Sequence, residues 1–222
     1  MSGGDFSNFL SIAIFDLDHT LLTINSSFHY YFSLFRKGMF SFSSLFFVFF
    51  WGALFRLSHL PPHELHCKIF QKVLKRIPFS SLEASAFFFS RYLEEFLNEP
   101  LVQLFREKKE KGCYTLLLSA SPTFLLAPLA QRLGFHEWKG SEYALDKEER
   151  LEHISFLMSG SEKKEYALQL SKRLCVAKEK IAVYTDSHWD LPLLEISGHP
   201  VAVRPDRQLK EICKQRGWKM MP

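Results

Sequence analysis

Three short apolar runs, each followed directly by acidic or hydroxyl residues, constrain the fold of this chain most strongly. Such continuous runs are typical of strands that are buried on both faces of a parallel sheet. They cover residues 12–15, 114–118 and 181–184, and a fourth run covers residues 201–203. Helical patterns lie between them at residues 101–111, 124–133, 163–174 and 209–216. This alternation predicts an α/β fold with a doubly wound, Rossmann-like parallel sheet.

A long segment between the first two runs interrupts the alternation. Residues 26–105 have a helical pattern almost throughout, punctuated by Pro61, Pro62 and Pro78. We therefore predict an all-helical cap domain, inserted at residues 25–107. The catalytic core would then consist of residues 1–24 and 108–222.

Polar side chains follow each of the three predicted strands. The first run ends in Asp16-Leu17-Asp18-His19-Thr20, the second in Ser119-Ala120-Ser121 and the third in Asp186-Ser187-His188-Trp189-Asp190. In an open α/β sheet, ligands bind outside the carboxyl ends of the strands. We therefore expect these three segments to converge on one site. Lys163 and Lys164, which follow Gly160 at the start of a helix, add candidate cations.

The three aspartates at positions 16, 18 and 186 would repel one another without a cation between them. Mg²⁺ suits such a group because it prefers oxygen ligands and retains several waters. A phosphoryl group in its transition state needs positive and hydrogen-bonding partners. A carboxylate that attacks phosphorus would form an aspartyl-phosphate and divide one difficult step into two.

These segments together resemble the four motifs of haloacid-dehalogenase-type phosphatases. Residues 16–20 match the D-x-D-x-T signature, Ser119 matches the Ser or Thr of the second motif, and Asp186 and Asp190 match the fourth. Lys164 matches the third motif, and Leu168, four positions on, favours it over Lys163. The tail from Gly198 to Trp218 resembles the subfamily related to phosphoserine phosphatase.

The resemblance implies a role for each residue. Asp16 would be the nucleophile and a metal ligand, and Asp18 the general acid and base, with its backbone carbonyl on Mg²⁺. Asp186 would complete the metal ligands, and Asp190 would support the metal waters or Lys164. The substrate phosphate would bind to Ser119, Lys164 and Thr20, and Thr20 would also orient Asp18. A plain helix cap is the alternative role for Asp190.

The chain departs from this family at three positions. Thr185 and Trp189 stand where Gly and Asn are usual in the fourth motif. Asn25 stands where phosphoserine phosphatases usually carry a Glu that binds the substrate amino group. An uncharged Asn removes that ion pair, so phosphoserine is not the favoured substrate.

A Phe-rich segment at residues 38–55 contains no charged side chain. A membrane span there would separate Asp16 from Ser119 and Asp186, which must share one sheet, so we exclude a span. Two interpretations stay open: a helix buried in the cap, or an apolar surface that contacts a membrane or a lipid-accepting cleft.

The remaining composition narrows the setting. The net charge is +4, which suits an anionic substrate or an anionic membrane, and no nucleic-acid-binding module is present. The four cysteines form no C-x-x-C pair, which favours reduced, buried thiols. We expect a cytoplasmic protein without an obligate protein partner, with peripheral contact to the inner face of the membrane as an open alternative. The basic residues from Arg204 to Lys219 are interpreted as part of a solvated helix, with contact to anionic lipid as the alternative.

The prediction is a Mg²⁺-dependent phosphatase that acts on a phosphate monoester, most simply a small soluble metabolite. One alternative is the same chemistry on a phospholipid head group such as that of phosphatidylglycerophosphate, with the Phe-rich cap at the membrane. An alternative of another class is a non-catalytic phosphate-binding or scaffolding protein, against which the complete set of carboxylates argues.

Overall fold

In the computed structural model, residues 9–58 and 62–222 are described; for residues 55–58, 62 and 63 only the backbone is described. The predicted core segment 1–24 thus begins with eight residues that lie outside the described part. Strands β1 to β7 are Ile12–Phe15, Tyr114–Pro122, Glu137–Leu145, Leu151–Phe156, Ile181–Thr185, His199–Val203 and Lys219–Met221. Helices α1 to α9 are Ser26–Arg36, Phe42–Ser58, Pro62–Ile69, Phe79–Leu93, Glu99–Glu110, Thr123–Leu133, Gly160–Arg173, Leu191–Leu194 and Arg207–Arg216.

The described strands form one sheet in the order β4-β3-β2-β1-β5-β6-β7. All neighbouring strands are parallel except β3 and β4, which are antiparallel. Strand β1 lies at the centre, between β2 and β5, and the chain crosses to opposite sides of β1 to form these two neighbours. The predicted α/β fold is confirmed, and the carboxyl ends of β1, β2 and β5 meet at one edge.

Each face of the sheet has its own core because side chains alternate along the strands. From β1, Ala13 and Phe15 enter one core, and Ile12 and Ile14 enter the other. The ring of Phe15 stacks on that of Tyr184 with centroids 4.7 Å apart. This packing fixes β1 beside β5 and therefore fixes the residue that follows Phe15.

The segment predicted as a cap is helical, but α5 packs with the core. Helix α5 crosses the predicted boundary at residue 107, and Phe105 meets Phe15 with ring centroids 5.7 Å apart. Helices α1 to α4 lie before it, and a bridge between Leu22 and Leu97 joins the two ends of that segment. We therefore propose a cap that ends near residue 97.

The hairpin of β3 and β4 was not predicted, because its strands mix charged and apolar residues and are half-exposed over much of their length. Asp146 shapes the hairpin turn by accepting hydrogen bonds from the backbone N–H groups of Glu148 and Arg150, both at 2.9 Å.

Two cysteines also differ from the prediction. Cys113 and Cys213 are buried, whereas Cys67 and Cys175 are exposed free thiols.

The Phe-rich segment forms α2. No helix in the described residues is long and apolar enough to cross a membrane.

Candidate active site

Asp16 stands at the end of β1, at the sheet edge where three strands meet. Its backbone N–H donates to the carbonyl of Tyr184 in β5 at 2.9 Å, which continues the strand pairing by one residue. A turn, Leu17–Leu21, follows directly, and its backbone is not helical at Asp18 or at His19, which has a φ of 57°. The turn reverses the chain so that Asp16 and Asp18 both remain at the edge. The Asp16 side chain is 11% exposed, so it is partly accessible to solvent.

Lys163, not Lys164, is the lysine at this site. The Lys163 Nζ lies 2.6 Å from Oδ1 of Asp16 and 2.8 Å from Oδ2 of Asp190. The expectation of Lys164 is wrong because the buried side of α7 carries Lys163, Ala167 and Leu170 at helical spacing. Lys164 is rotated away from that side and is only half-buried, as is Leu168, the residue that had favoured it.

Asp190 was predicted to support the metal waters or Lys164, and in the structure it contacts Lys163 instead. Its Oδ2 accepts from Lys163 and also from Thr185 Oγ1 at 2.7 Å. Asp190 precedes α8, but its side chain makes no capping hydrogen bond there. The alternative role as a helix cap therefore does not hold.

Asp18 is held by groups from both the cap and the core. Its Oδ1 accepts from the backbone N–H of Ser26 at 2.6 Å, and its Oδ2 accepts from Ser121 Oγ at 2.7 Å. Ser121 Oγ also lies 2.9 Å from Ser27 Oγ. We call Ser26, Ser27 and Ser121 the serine clasp. These residues were not predicted as site residues, although Ser121 follows Ser119 in the polar run that ends the second strand.

Two further predictions concern Thr20 and Ser119. The prediction that Thr20 orients Asp18 is wrong, because its Oγ1 donates instead to Oδ1 of Asp186 at 3.1 Å. The turn after Asp16 points Thr20 inward, where it is fully buried against β5. Ser119 is buried and its Oγ accepts from the Ser121 N–H at 3.1 Å. Phosphate binding by Ser119 and Thr20 stays a prediction.

Arg204 is exposed, as predicted, but it also makes hydrogen bonds that were not predicted. Its guanidinium donates to the carbonyls of His19, Thr20 and Leu22 at 2.8, 3.3 and 3.0 Å. It follows β6 with a φ of 46°, which turns the side chain toward the first motif. One charged group thus satisfies several carbonyls of the turn between Asp16 and the cap.

The site holds more negative than positive charge. Burial, and next the carboxylates of Asp16 and Asp190, raise the pKa of Asp186 to about 8. Burial also raises the pKa of Asp16, to about 7, against the attraction of Lys163. Burial disfavours the Lys163 ammonium, but Asp16 and Asp190 outweigh this effect and its pKa is raised. Lys163 is therefore charged, and the carboxylates favour an additional cation.

A divalent cation fits this donor set. No three His, Cys, Asp or Glu side chains among the described residues are grouped as a complete metal site. The predicted set needs only the carboxylates of Asp16 and Asp186 together with the backbone carbonyl of Asp18. Such a partial set of hard oxygen donors suits Mg²⁺, which keeps waters and substrate oxygens in its shell.

The raised pKa values of Asp16 and Asp186 predict how the free energy of unfolding depends on pH. Without metal, the free energy of unfolding should fall between pH 6.5 and 8, because folded Asp16 and Asp186, with pKa values of about 7 and 8, retain protons that the unfolded chain has lost. His66 opposes this only at lower pH, because burial lowers its pKa to about 4. Thermal unfolding with and without MgCl₂ tests it: Mg²⁺ should raise the Tm more at pH 8 than at pH 6.5. A rising Tm in metal-free buffer would contradict the prediction, and Asp186→Asn should flatten the slope.

Gly160 makes a second prediction. A Cβ on this residue would clash with the carbonyl oxygen of Trp189, beside Asp190. Gly160→Ala should displace Asp190 and Lys163 together and lower kcat for a phosphate ester by about tenfold or more. Gly52→Ala is the matched control, because nothing lies near its added Cβ and Ala favours a helix. Equal activity of the two variants would show that the backbone contact is unimportant.

Asn25 is engaged in the fold. Its Oδ1 accepts from the N–H of Phe28 at 2.9 Å and so caps the start of α1. The position that is acidic in phosphoserine phosphatases thus carries an uncharged side chain with a structural partner.

The chain is similar to several known phosphatases. The chain is 28% identical over 112 residues to the phosphoserine phosphatase SerB1 of Mycobacterium tuberculosis, covering 50% of this chain and 36% of the relative. It is 26% identical over 140 residues to the histidinol-phosphatase of Neisseria meningitidis, covering 60% and 63%. The chain thus spans about a third and just under two thirds of these relatives.

A solved phosphoserine phosphatase, described as a phospho-aspartyl intermediate analogue, superimposes with a TM-score of 0.70 at 14% identity. The superposition covers 96% of this chain and 93% of the phosphoserine phosphatase chain, so the two share a fold. Residues 13–195, which contain Asp16, Ser119, Lys163 and Asp190, match the haloacid dehalogenase-like hydrolase family. The chain belongs to that family.

Proposed function

We propose that this protein is a Mg²⁺-dependent phosphatase that hydrolyses a phosphate monoester through an aspartyl-phosphate on Asp16. The observation that carries the proposal is the contact of Asp16 with Lys163 at 2.6 Å, beside an Asp18 held by two donors. The Asp16 carboxylate is paired with a cation and partly exposed, and the Asp18 carboxylate is oriented by hydrogen bonds. Two carboxylates in such different environments suit two different roles.

In the first step, an Oδ of Asp16 forms a bond to phosphorus while the bond from phosphorus to the leaving oxygen breaks. Asp18 gives its proton to that leaving oxygen. In the second step, water attacks phosphorus, Asp18 takes its proton, and the bond between Asp16 and phosphorus breaks. Inorganic phosphate leaves and both carboxyl groups return to their starting states.

Lys163 supplies fixed positive charge beside the phosphoryl group, and its attraction favours the ionised form of Asp16 against the effect of burial. Asp190 holds the ammonium in place, since its Oδ2 accepts from Lys163 Nζ, and Thr185 Oγ1 donates to the same oxygen and so fixes the carboxylate. Asp16, Asp186 and the carbonyl of Asp18 would hold Mg²⁺, which when bound supplies further positive charge to the phosphate oxygens. Ser119 would donate its hydroxyl proton to the phosphate.

The substrate class is a small phosphate ester, and phosphoserine is disfavoured because Asn25 offers no charge to an amino group. Turnover of a chromogenic phosphate ester with Mg²⁺ and with a chelator tests the reaction. Activity that survives chelation would overturn the metal requirement. A panel of phosphoserine, histidinol phosphate, sugar phosphates and phosphatidylglycerophosphate would then rank the substrates.

Ser121 makes a prediction about the proton transfer. Ser121→Ala removes one of two donors to Asp18 and should lower kcat for an alkyl phosphate by about tenfold to a hundredfold. The loss should be several times smaller for p-nitrophenyl phosphate, whose leaving oxygen needs no proton. An equal loss for both esters would show that Ser121 acts on the fold or on binding and not on the acid. Ser43→Ala, on an exposed serine of α2, is the control.

A further inference from the structure

The outward side of α2 is apolar where a surface helix usually carries polar side chains. Phe42, Phe46, Phe49 and Phe50 are 74%, 66%, 46% and 53% exposed. Their spacing places them on one stripe of the helix, while Val48 on the other side is buried. Single exposed apolar residues are ordinary, but a contiguous set indicates a surface that contacts something apolar.

The stripe continues onto the neighbouring helices. Phe49 meets Phe28 of α1 edge to face, with ring centroids 4.7 Å apart, and the next residue of α1, His29, contacts Tyr92 of α4. Tyr92 lies one turn after Phe88, which is 65% exposed. We define the phenylalanine face by its exposed members on α1, α2 and α4: Phe32, Phe42, Phe46, Phe49, Phe50 and Phe88.

The charged residues around the phenylalanine face are mostly basic. Residues 19–63 contain no Asp or Glu, although they include Arg36 and Lys37 at the end of α1. On the other flank of α2, Lys68 lies over the ring of Trp51 at 4.3 Å, and Lys72 lines the same shallow groove. The insertion from residue 25 to residue 97 contains eight Lys and Arg against four Glu.

This combination distinguishes between possible partners. A second copy of the chain would bring the same basic rim against itself, which is unfavourable. An anionic bilayer offers both an apolar interior for the Phe rings and negative head groups for the Lys and Arg side chains. We propose that the phenylalanine face docks this protein onto an anionic lipid bilayer, with α2 lying in the plane of the interface.

Vesicle sedimentation of the full chain tests the proposal without any measurement of lipid hydrolysis. The protein should sediment with phosphatidylcholine vesicles that contain phosphatidylglycerol, and less with phosphatidylcholine alone or at high salt. The double variant Phe46→Asp/Phe50→Asp should reduce the bound fraction by about tenfold or more, because it places charge in the apolar layer. Turnover of a soluble ester should be unchanged, since neither residue contacts the active site.

Leu10→Asp is the matched control. Leu10 is 70% exposed but precedes β1 at the opposite edge of the sheet, so vesicle binding should persist. Equal binding by the double variant and the wild type would overturn the proposal, as would no binding by the wild type. Light scattering measures the oligomeric state of the wild type and the double variant. If the wild type is a dimer that the double substitution dissociates, and it does not bind vesicles, the phenylalanine face contacts a second copy of the chain. Because binding is measured in the inactive Asp16→Asn background as well, its outcome is separate from that of the proposed function.

Discussion

Asp16→Asn is expected to lower turnover of a phosphate ester by about four orders of magnitude or more, because it removes the nucleophile. The same substitution should leave the Tm of the metal-free protein equal or higher at pH 8. The reason is that burial and neighbouring carboxylates raise the pKa of Asp16, so its ionised form is disfavoured in the fold. Asn has the same shape without that charge. Steady-state kinetics and thermal unfolding measure the two effects.

The informative result for Asp16→Asn is a loss of turnover without a loss of Tm. A variant that lost activity together with its Tm would indicate an unfolded site, and the loss could not be assigned to a nucleophile. Wild-type protein incubated with substrate and quenched in acid should carry a phosphoryl group, and Asp16→Asn should carry none. Substantial turnover by Asp16→Asn would contradict the mechanism.

Lys163→Met is expected to lower kcat by about a hundredfold to a thousandfold, comparable with the loss of one electrostatic donor in other active sites. The ammonium lies 2.6 Å from Asp16 and 2.8 Å from Asp190, so its removal leaves two buried carboxylates without their cation. Met retains most of the length and the apolar stem of the side chain. The free energy of unfolding should therefore fall as well, most clearly at alkaline pH.

Lys164→Met is the matched control, since it removes the same charge one residue along α7. It should keep kcat within about twofold of the wild type, because Lys164 is half-buried and makes no contact with the site carboxylates. Equal losses in both variants would show that net charge near the cleft matters, and not the ion pair. A larger loss in Lys164→Met would restore the assignment made from the sequence.

The sheet and the positions of the acidic residues were predictable because buried parallel strands produce unmistakable apolar runs. Asp16, Asp186 and Ser119 could be placed at one edge because each directly follows such a run. The hairpin of β3 and β4 gives no such signal, since its half-exposed strands mix Glu, Lys and aromatic residues. The last strand, Lys219–Met221, is too short to be recognised.

The errors in the site have a common physical origin. Motif spacing along the chain does not determine which side of a helix faces the cleft, so Lys163 and Lys164 could not be separated until the buried side of α7 was seen. The Arg204 side chain donates to backbone carbonyls, and Ser26 donates its own backbone N–H. Such backbone groups do not depend on side-chain identity, so no motif specifies them. Ser26 and Ser121 are moreover 95 residues apart, and only the fold brings them together.

If Asp18 transfers the proton as proposed, the serine clasp makes that transfer depend on the position of the cap. One donor to Asp18 is the N–H of Ser26, at the first residue of α1, and the other is Ser121 at the end of β2. Movement of α1 away from the sheet would take one donor with it and release the carboxyl group to rotate. The enzyme would then be competent only while its cap is seated, so an occupant too large to allow seating would be bound but not cleaved. Selection among substrates would in this way be made by geometry before any bond to phosphorus changes.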